Sequence, residues 1–212
     1  MEKTDEIEEN KEQVEQGEST AARLSPDILL SAYTQGYFPM PDPETEEILW
    51  YRPSPRAIFE IGNFHLSKSM KKFLKTAEFE VRFSTDFEAV MRACANRDET
   101  WISEEFIEAY KRLHSLGFAH SVEVYSEGEL VGGTYGVCIR SAFFAESMFH
   151  TKTNMSKVAL WALDKKLSEN GFTLFECQFM TPHLQTLGAV SVMDEDYQEL
   201  LRDALNKASS FL

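Results

Sequence analysis

Cysteine is scarce in this sequence of 212 residues, and its few positions exclude several classes of protein. Cys94, Cys138 and Cys177 stand far apart, and no two cysteines form a CxxC pair. Their odd number and wide spacing argue against a disulfide framework and against a structural zinc site. The five histidines show no HExxH spacing, which is the pattern of many zinc proteases. The sequence therefore predicts no metal centre and favours a reducing cytoplasm.

Long apolar runs are also missing. No segment is long enough to cross a bilayer, and the chain does not start with a charged and then apolar signal. Acidic residues are in excess instead, and the formal net charge is −14. Residues 1–18 hold eight of the acids against two lysines. We therefore expect residues 1–22 to form a disordered acidic tail, whose simplest role is to keep the protein soluble.

The rest of the chain has enough apolar residues for a core, with 16 phenylalanines and 43% hydrophobic residues. A first helix is predicted in LSPDILLSAYTQGYF, where Ser25 can cap the helix and Pro26 suits its first position. Closely spaced prolines follow and forbid a long helix. Residues 23–62 are therefore predicted to be a small N-terminal domain with short strands such as ILWY and AIFEI. Residues 63–212 are predicted to be a second, larger domain.

Helices and strands alternate in this second region. Predicted strands are EFEVRF, HSVEVYS, ELVGGTYGVCIRSAFFAES and TLFECQF, and the middle two are expected to form a hairpin around Glu127 and Gly128. Predicted helices are residues 65–78, DFEAVMRACAN, SEEFIEAYKRLHSLG with Ser103 as its cap, MSKVALWALDKKLSEN and a final short helix, HLQTLG. This order predicts a mixed α/β (α+β) sheet with helices.

Four lysines line one stripe of the predicted helix 65–78. Lys68, Lys71, Lys72 and Lys75 follow at intervals of three, one and three residues, opposite an apolar stripe. Because salt screens charge over about 8 Å, a local basic patch can bind phosphates even on an acidic protein. The stripe is either a solvated helix face or a surface for phosphate groups.

A single acid, Glu146, interrupts the apolar segment AFFAESMFH at residues 142–150. In a strand of this composition, an acid turns to water, pairs with a partner, or takes part in chemistry.

The strand LFECQF adds two further polar side chains. If the strand alternates regularly, Glu176 and Gln178 point to one face, and Cys177 points to the other with Phe175 and Phe179. The two polar side chains then either face solvent or line a cleft with the acid of the preceding strand. A nucleophilic pair of Cys177 with a histidine is disfavoured, since the thiol faces the apolar side and has no third group to orient it.

Several motifs of this sequence, taken in order, resemble the leucyl/phenylalanyl-tRNA–protein transferase family. They are SAYTQGYFP, ILWYRPSPR, LSKSMKKF, TWIS, AYKRLHSLGFAHSVEVY, ELVGGTYGV, AESMFH, and ECQF followed by HLQTLGA. The likeness extends from about Leu24 to Val192. It implies a small N-terminal domain followed by a domain of the N-acetyltransferase superfamily type. It also implies the transfer of Leu or Phe, and sometimes Met, from aminoacyl-tRNA to proteins that begin with Arg or Lys.

The resemblance further implies roles for individual residues. Glu146 and Gln178 match the catalytic centre, and Glu176 matches an acid that orients the glutamine, although the family usually has Asp at this position. The lysine stripe would hold the acceptor stem of the tRNA. The implied substrate-binding residues are Phe143 and Met148 in an apolar pocket, Trp101 near the 3′-terminal adenosine, Trp50, and Met40, where some members have Trp. No cofactor, a cytoplasmic location and a monomer are expected.

Two other functions stay open at this level. One is an acyl-CoA-dependent N-acetyltransferase, which binds pyrophosphate with a glycine-rich turn before a helix. The segment MFHTKTNMSK contains no glycine, and this counts against CoA. The other is a binding module that holds tRNA or an N-terminal Arg/Lys peptide without transfer, made plausible by Glu176 in place of Asp.

Overall fold

A computed structural model describes residues 24–42, 44–45, 47–97 and 100–212. The predicted acidic tail, residues 1–22, lies outside these residues. The first helix, α1, spans Pro26–Thr34, with the Ser25 hydroxyl accepting a hydrogen bond from the backbone of Ile28. Strands β1 (Phe38–Pro41) and β2 (Ile48–Tyr51) follow and pair antiparallel in a two-stranded sheet. The cap on Ser25 and the strand ILWY are confirmed.

Seven strands form the large sheet in the order β4-β5-β6-β7-β8-β3-β9. All neighbours pair antiparallel except β7 and β8, which are parallel. The strands are β3 (Arg56–Phe59), β4 (Glu80–Phe83), β5 (Ala119–Ser126), β6 (Glu129–Ile139), β7 (Ala142–His150), β8 (Leu174–Glu176) and β9 (Val190–Val192). The mixed α+β class is confirmed.

Strand β3 inserts between the two strands that come last in the chain, β8 and β9. The predicted boundary between residues 62 and 63 therefore falls after a strand of the large sheet. Arg56 of β3 therefore lies in the same sheet as Glu176, which comes 120 positions later in the chain.

The helices cover both faces of the sheet. They are α2 (Lys68–Thr76), α3 (Phe87–Ala95), α4 (Glu104–Ser115), α5 (Met155–Glu169), α6 (Pro182–Thr186) and α7 (Asp194–Leu205). Helices α1, α3, α4 and α7 contribute to one apolar cluster, here called the α1 core. Helices α2, α5 and α6 contribute to a second cluster, the α5 core. Within the described residues, every helix falls short of the length and apolar character that crossing a membrane requires.

Three sequence predictions of elements need correction. The segment ELVGGTYGVCIRSAFFAES is two strands, because the chain reverses at Arg140, which has a φ of 58°. Strand β8 ends at Glu176, since Gln178 has a φ of 62° and cannot continue a strand. Phe179 consequently packs in the α1 core against Phe38, not on the side of Phe175.

Helix α6 is also not the last helix. Helix α7 follows it and begins with three acids, Asp194 to Asp196, which suit the positive end of the helix dipole. Tyr197, Leu201 and Ala204 form its buried face. The spacing of four and three was readable in the sequence as one helical face.

Candidate active site

A β-bulge in strand β7 sets the position of Glu146. Tyr135 pairs with Ser147, but the next residue of β6, Gly136, pairs with Ala145, so Glu146 has no partner across the ladder. A bulge of this kind breaks the alternation and re-aims a side chain. Position 136 requires glycine, since a Cβ there would lie 2.2 Å from the carbonyl oxygen of Phe144.

The re-aimed Glu146 enters a group of buried tyrosines. The hydroxyl of Tyr33, on α1, donates to Glu146 Oε1 at 2.5 Å. A second tyrosine, Tyr110 on α4, lies with its hydroxyl 2.5 Å from that of Tyr33. Because Tyr33 has one proton and gives it to the carboxyl, Tyr110 is the donor in the second bond. Residues of two helices, α1 and α4, thus fix one oxygen of the acid.

Burial decides the charge of this acid. Glu146 is 9% exposed, and burial raises its pKa to about 8. The hydrogen bond from Tyr33 lowers the pKa, the nearby charge of Glu176 raises it, and the amide of Gln178 lowers it. With the carboxyl in so apolar a place and no cation among these influences, the neutral form predominates at pH 7.

Gln178 is held in a left-handed backbone conformation, which is uncommon for a residue with a long side chain. Its backbone N–H donates to Glu176 Oε1 at 2.5 Å, and its carbonyl accepts from Ala57 at 2.9 Å. The neighbouring Cys177 donates its backbone N–H to the carbonyl of Ala57. Ala57 of β3 therefore hydrogen-bonds the chain at both Cys177 and Gln178, and these bonds hold Gln178 in its strained conformation.

Glu176 forms a buried ion pair with Arg56, at 3.1 Å, and both side chains are 1% exposed. Burial raises the pKa of Glu176, and the charge and hydrogen bond of Arg56 oppose this change. The expected role of Glu176 was to orient the side-chain amide of Gln178, whereas the structure shows it bonded to the backbone of that residue. The longer Glu in place of the expected Asp therefore satisfies both Arg56 and the Gln178 turn.

Two polar atoms at the centre of this group lack hydrogen-bonding partners. Glu146 Oε2 and Gln178 Nε2 are both buried, and neither finds a partner among the described residues. Their side chains are close enough for the amide to lower the pKa of the acid. Because Oε1 accepts from Tyr33, the proton of the neutral acid lies on Oε2, which is a donor in the neutral form and an acceptor in the carboxylate. Since buried polar groups are normally satisfied, these two atoms without partners indicate a place for a polar ligand atom.

The predicted site residues divide between the two cores. Glu146, Glu176 and Gln178 come together, as the mutual influences on the pKa of Glu146 show. The half-buried side chains of Met40, Trp50 and Trp101 pack against the α1 core, which also holds Tyr33 and Tyr110.

Phe143 and Met148 lie elsewhere, in and against the α5 core. Phe143 is fully buried and stacks on Phe211 with ring centroids 5.5 Å apart. Phe143 is three residues from Glu146, so regular alternation already turns the two to opposite faces. Met148 is two residues from Glu146, and the bulge turns it to the side of Phe143. The structure does not bring these two residues together with the acid, and it does not support their predicted place in a shared pocket.

Cys177 is buried in the α5 core, and burial raises the pKa of its thiol well above the ordinary value. A thiol of this kind is a poor nucleophile.

The lysine stripe is exposed along helix α2. Lys68, Lys71, Lys72 and Lys75 are all on the surface, and the structure gives none of them an ion-pair partner in its described part. Met70, on the opposite side, is 4% exposed. Four unpaired cations on one face of an acidic protein form a patch that can bind anions.

Sequence reasoning missed three residues of the site. They are Tyr33, Tyr110 and Arg56, and none of them was singled out. Two signals existed in the sequence. An arginine begins the apolar strand RAIF, and a tyrosine lies on the buried face of an amphipathic helix, and each needs a polar partner when buried.

Known proteins match this chain over most of its length. A family model described as leucyl/phenylalanyl-tRNA protein transferase matches residues 58–202, and a model of the N-terminal domain of the same proteins matches residues 22–54. A relative from Herpetosiphon aurantiacus, named leucyl/phenylalanyl-tRNA–protein transferase, is 48% identical over 89% of this chain and 98% of its own length. One of the same name from Gloeobacter violaceus is 47% identical over 86% of this chain and 94% of its own length.

Among solved structures, the PaiA N-acetyltransferase of Thermoplasma acidophilum in complex with coenzyme A is similar to part of the chain. The match covers 45% of this chain and 76% of that one, with 17% identity and a TM-score of 0.32. A TM-score this low carries no argument, so the acetyltransferase type of the fold stays a prediction. The family models and the close relatives are sufficient by themselves: this chain belongs to the leucyl/phenylalanyl-tRNA–protein transferase family.

Proposed function

We propose that this aminoacyltransferase moves Leu or Phe from aminoacyl-tRNA to the α-amino group of proteins that begin with Arg or Lys. The product carries a new N-terminal residue that acts as a degradation signal. One observation carries the proposal, namely that Glu146 Oε2, an acceptor when the acid is ionised, lies without a partner beside the donor Gln178 Nε2, which also lacks one among the described residues. Attack of an amine on an ester carbonyl is assisted by an acceptor for the proton of the amine and by a donor to the carbonyl oxygen.

Proton removal is the first requirement of the reaction. A peptide α-amino group has a pKa of about 8 and arrives mostly as an ammonium ion. The carboxyl of Glu146 also has a pKa of about 8, so little free energy separates the two positions of the proton. Once both groups are buried, the neutral amine and neutral acid cost less than an ion pair. Glu146 in its carboxylate form is therefore suited to take the proton and leave a neutral nucleophile.

Stabilising the attacked carbonyl is the second requirement. The free Gln178 Nε2–H is the donor that faces the growing negative charge on the ester oxygen, and its left-handed backbone holds it in place. The ester C–O bond breaks as the C–N bond forms. The amine loses two protons, one to Glu146 and one to the leaving ribose oxygen. Because the ester is already activated, no cofactor is needed.

The remaining contacts concern the tRNA. The unpaired lysines of α2 are suited to the phosphates of the acceptor stem, with binding that weakens steeply with salt. Trp50, Trp101 and Met40 are half-buried on the α1 core, the side of Glu146, and are the proposed contacts for the terminal adenosine and the aminoacyl side chain. The enzyme is proposed to act in the cytoplasm as a monomer.

Transfer of [¹⁴C]Phe from Phe-tRNA to a peptide that begins with Arg tests this function. The variant Gln178→Gly removes the amide and suits the left-handed backbone, so it should fold and bind tRNA but transfer nothing. Gln185→Ala, an exposed glutamine of α6, is the matched control and should transfer normally. Transfer by Gln178→Gly at a near wild-type rate would show that the amide has no catalytic role.

The same assay separates the alternative functions. Peptide or tRNA binding without label transfer by the wild-type protein would indicate a binding module, and turnover of acetyl-CoA would indicate an acetyltransferase. Either result would overturn the proposed transfer.

A further inference from the structure

Arg56 is the most deeply buried cation of the described chain, and it touches three separate elements. Its side chain is 1% exposed. The Nη1 group donates to Glu176 at the end of β8, and the Nη2 group donates to the carbonyl oxygen of Gly36 at 2.5 Å. The guanidinium also lies 4.4 Å from the ring centroid of Tyr197, on α7, and 5.4 Å from that of Phe38.

These contacts connect the two halves of the candidate active site. Gly36 follows directly on α1, the helix whose Tyr33 donates to Glu146. Glu176 is the acceptor for the backbone N–H of Gln178. The guanidinium of Arg56 thus connects the end of α1, which holds Glu146, to Glu176, which holds the backbone of Gln178. It makes no direct hydrogen bond to Glu146 or Gln178 in the described structure.

We propose that Arg56 is a positioning residue that sets the separation and orientation of Glu146 and Gln178. It acts through Gly36 and Glu176 and does not touch the substrates. In its effect on catalysis the inference rests on the proposed transfer reaction, but its effect on the geometry of Gln178 does not.

Lysine cannot replace arginine in this place. The planar guanidinium sends two donors to two acceptors in different elements while its faces lie against aromatic rings. An ammonium group at the end of a flexible chain can reach Glu176 or Gly36, but it does not fix the distance between them. Since a displacement near 1 Å can cost about 10²-fold in rate, we expect Arg56→Lys to slow transfer by about that factor.

A merely structural role would give a different result, and Arg52 provides the control. Arg52 pairs with Asp194 through two hydrogen bonds and so ties β2 to α7, close to Tyr197. It makes no contact with Glu176 or Gly36 in the described structure. Arg52→Lys therefore weakens the attachment of α7 to the N-terminal part of the chain. It leaves the bond from the Gln178 backbone to Glu176 unchanged.

Two measurements on the full-length variants test the proposal. The first is the single-turnover rate of Phe transfer at saturating Phe-tRNA, well below the unfolding temperature, with the tRNA dissociation constant measured beside it. The second is the ¹H–¹⁵N resonance of the Gln178 backbone amide, whose proton should be shifted downfield by the bond to a carboxylate. Arg56→Lys should slow transfer about 10²-fold, leave tRNA affinity within about twofold, and move the amide proton upfield. Arg52→Lys should change neither rate nor resonance.

Each outcome decides between the proposals. If Arg56→Lys keeps the resonance of Gln178 and transfers within about threefold of wild type, the positioning role is wrong. If the wild-type protein transfers nothing, the proposed function fails, and the resonance alone decides the role of Arg56.

Should Arg56→Lys not fold, Tyr197→Leu serves in its place. This change removes one aromatic face but no hydrogen bond, because the Tyr197 hydroxyl has no partner in the described part of the chain. It should shift the Gln178 resonance and the rate in the same direction by less. An unchanged resonance and rate in this variant would likewise overturn the proposal.

Discussion

Two buried glutamates meet in this site, and their surroundings differ in one respect. Glu176 has a cation, Arg56, and its Oε1 accepts two hydrogen bonds. Glu146 has tyrosines around it and keeps one oxygen without a partner among the described residues. A carboxylate paired with arginine is fixed in charge and place, whereas one among hydroxyl groups in an apolar core can gain or lose a proton near neutral pH. Under the proposed function, Glu176 therefore determines geometry and Glu146 takes part in chemistry.

The largest expected effect separates these two roles in catalysis. Glu146→Gln keeps the size of the side chain and the acceptor for Tyr33 but removes the proton acceptor. Since general base groups contribute about 10²–10⁴-fold, transfer should fall by that range. The measurement is the single-turnover rate with Phe-tRNA and an Arg-starting peptide. A variant that still transferred at more than about a tenth of the wild-type rate would contradict the proposed proton transfer.

The second effect concerns stability and should be found at the other acid. Glu176→Ala leaves the charge of Arg56 buried without its partner, which costs about 3–5 kcal/mol. The free energy of unfolding from urea titration should fall by that amount. Glu146→Gln should not lower it at pH 7, because the neutral amide avoids the cost of burying a carboxyl that is ionised in the unfolded chain. Equal losses in the two variants would remove the distinction between the acids.

The third effect is the pH dependence of stability. The pKa of Glu146 is about 8 in the folded protein, and that of an unfolded glutamate is about 4.3. Between these values the folded state holds a proton that the unfolded state has lost, so this group makes stability fall as pH rises from about 4.3 to 8. Thermal unfolding of Glu146→Gln between pH 5 and 8.5 should therefore show a smaller decline than wild type. Parallel curves would mean that Glu146 is charged throughout the range.

The smallest effect lies outside the two acids, on helix α2. Removing one lysine that binds a phosphate lowers the slope of log affinity against log salt by about 0.7–0.9. Lys72→Gln should thus reduce the salt slope for tRNA binding by about that amount and leave the transfer rate at saturating tRNA unchanged. Lys165→Gln, an exposed lysine on α5 outside the stripe, is the control and should leave the slope unchanged. Equal slopes for wild type and Lys72→Gln would show that this lysine does not bind a phosphate of the tRNA.

The elements that the sequence predicted correctly depend on local rules. Ser25 and Ser103 cap their helices as expected, and the turn at Glu127 and Gly128 joins two strands. These features need only a few neighbouring residues, so a pattern in the chain is enough to predict them.

The features that the sequence did not predict depend on interactions between distant residues. The bulge that places Glu146 apart from Met148 comes from the register of β6 with β7. The left-handed turn at Gln178 is held by Ala57, from a strand more than 100 residues earlier. Regular alternation predicted neither, because a tertiary interaction can overrule a local period.

The sequence by itself determined every helix of the described chain except α7, most of the strands, the basic stripe on α2, and the three polar residues of the candidate site. Local propensity and side-chain periodicity are sufficient for these. Only the tertiary structure decided which acid pairs with a cation and which apolar residues accompany it. Burial and the nearest cation fix a pKa, and both arise when β3 enters the sheet beside β8 and brings Arg56 to Glu176, leaving Glu146 without a cation.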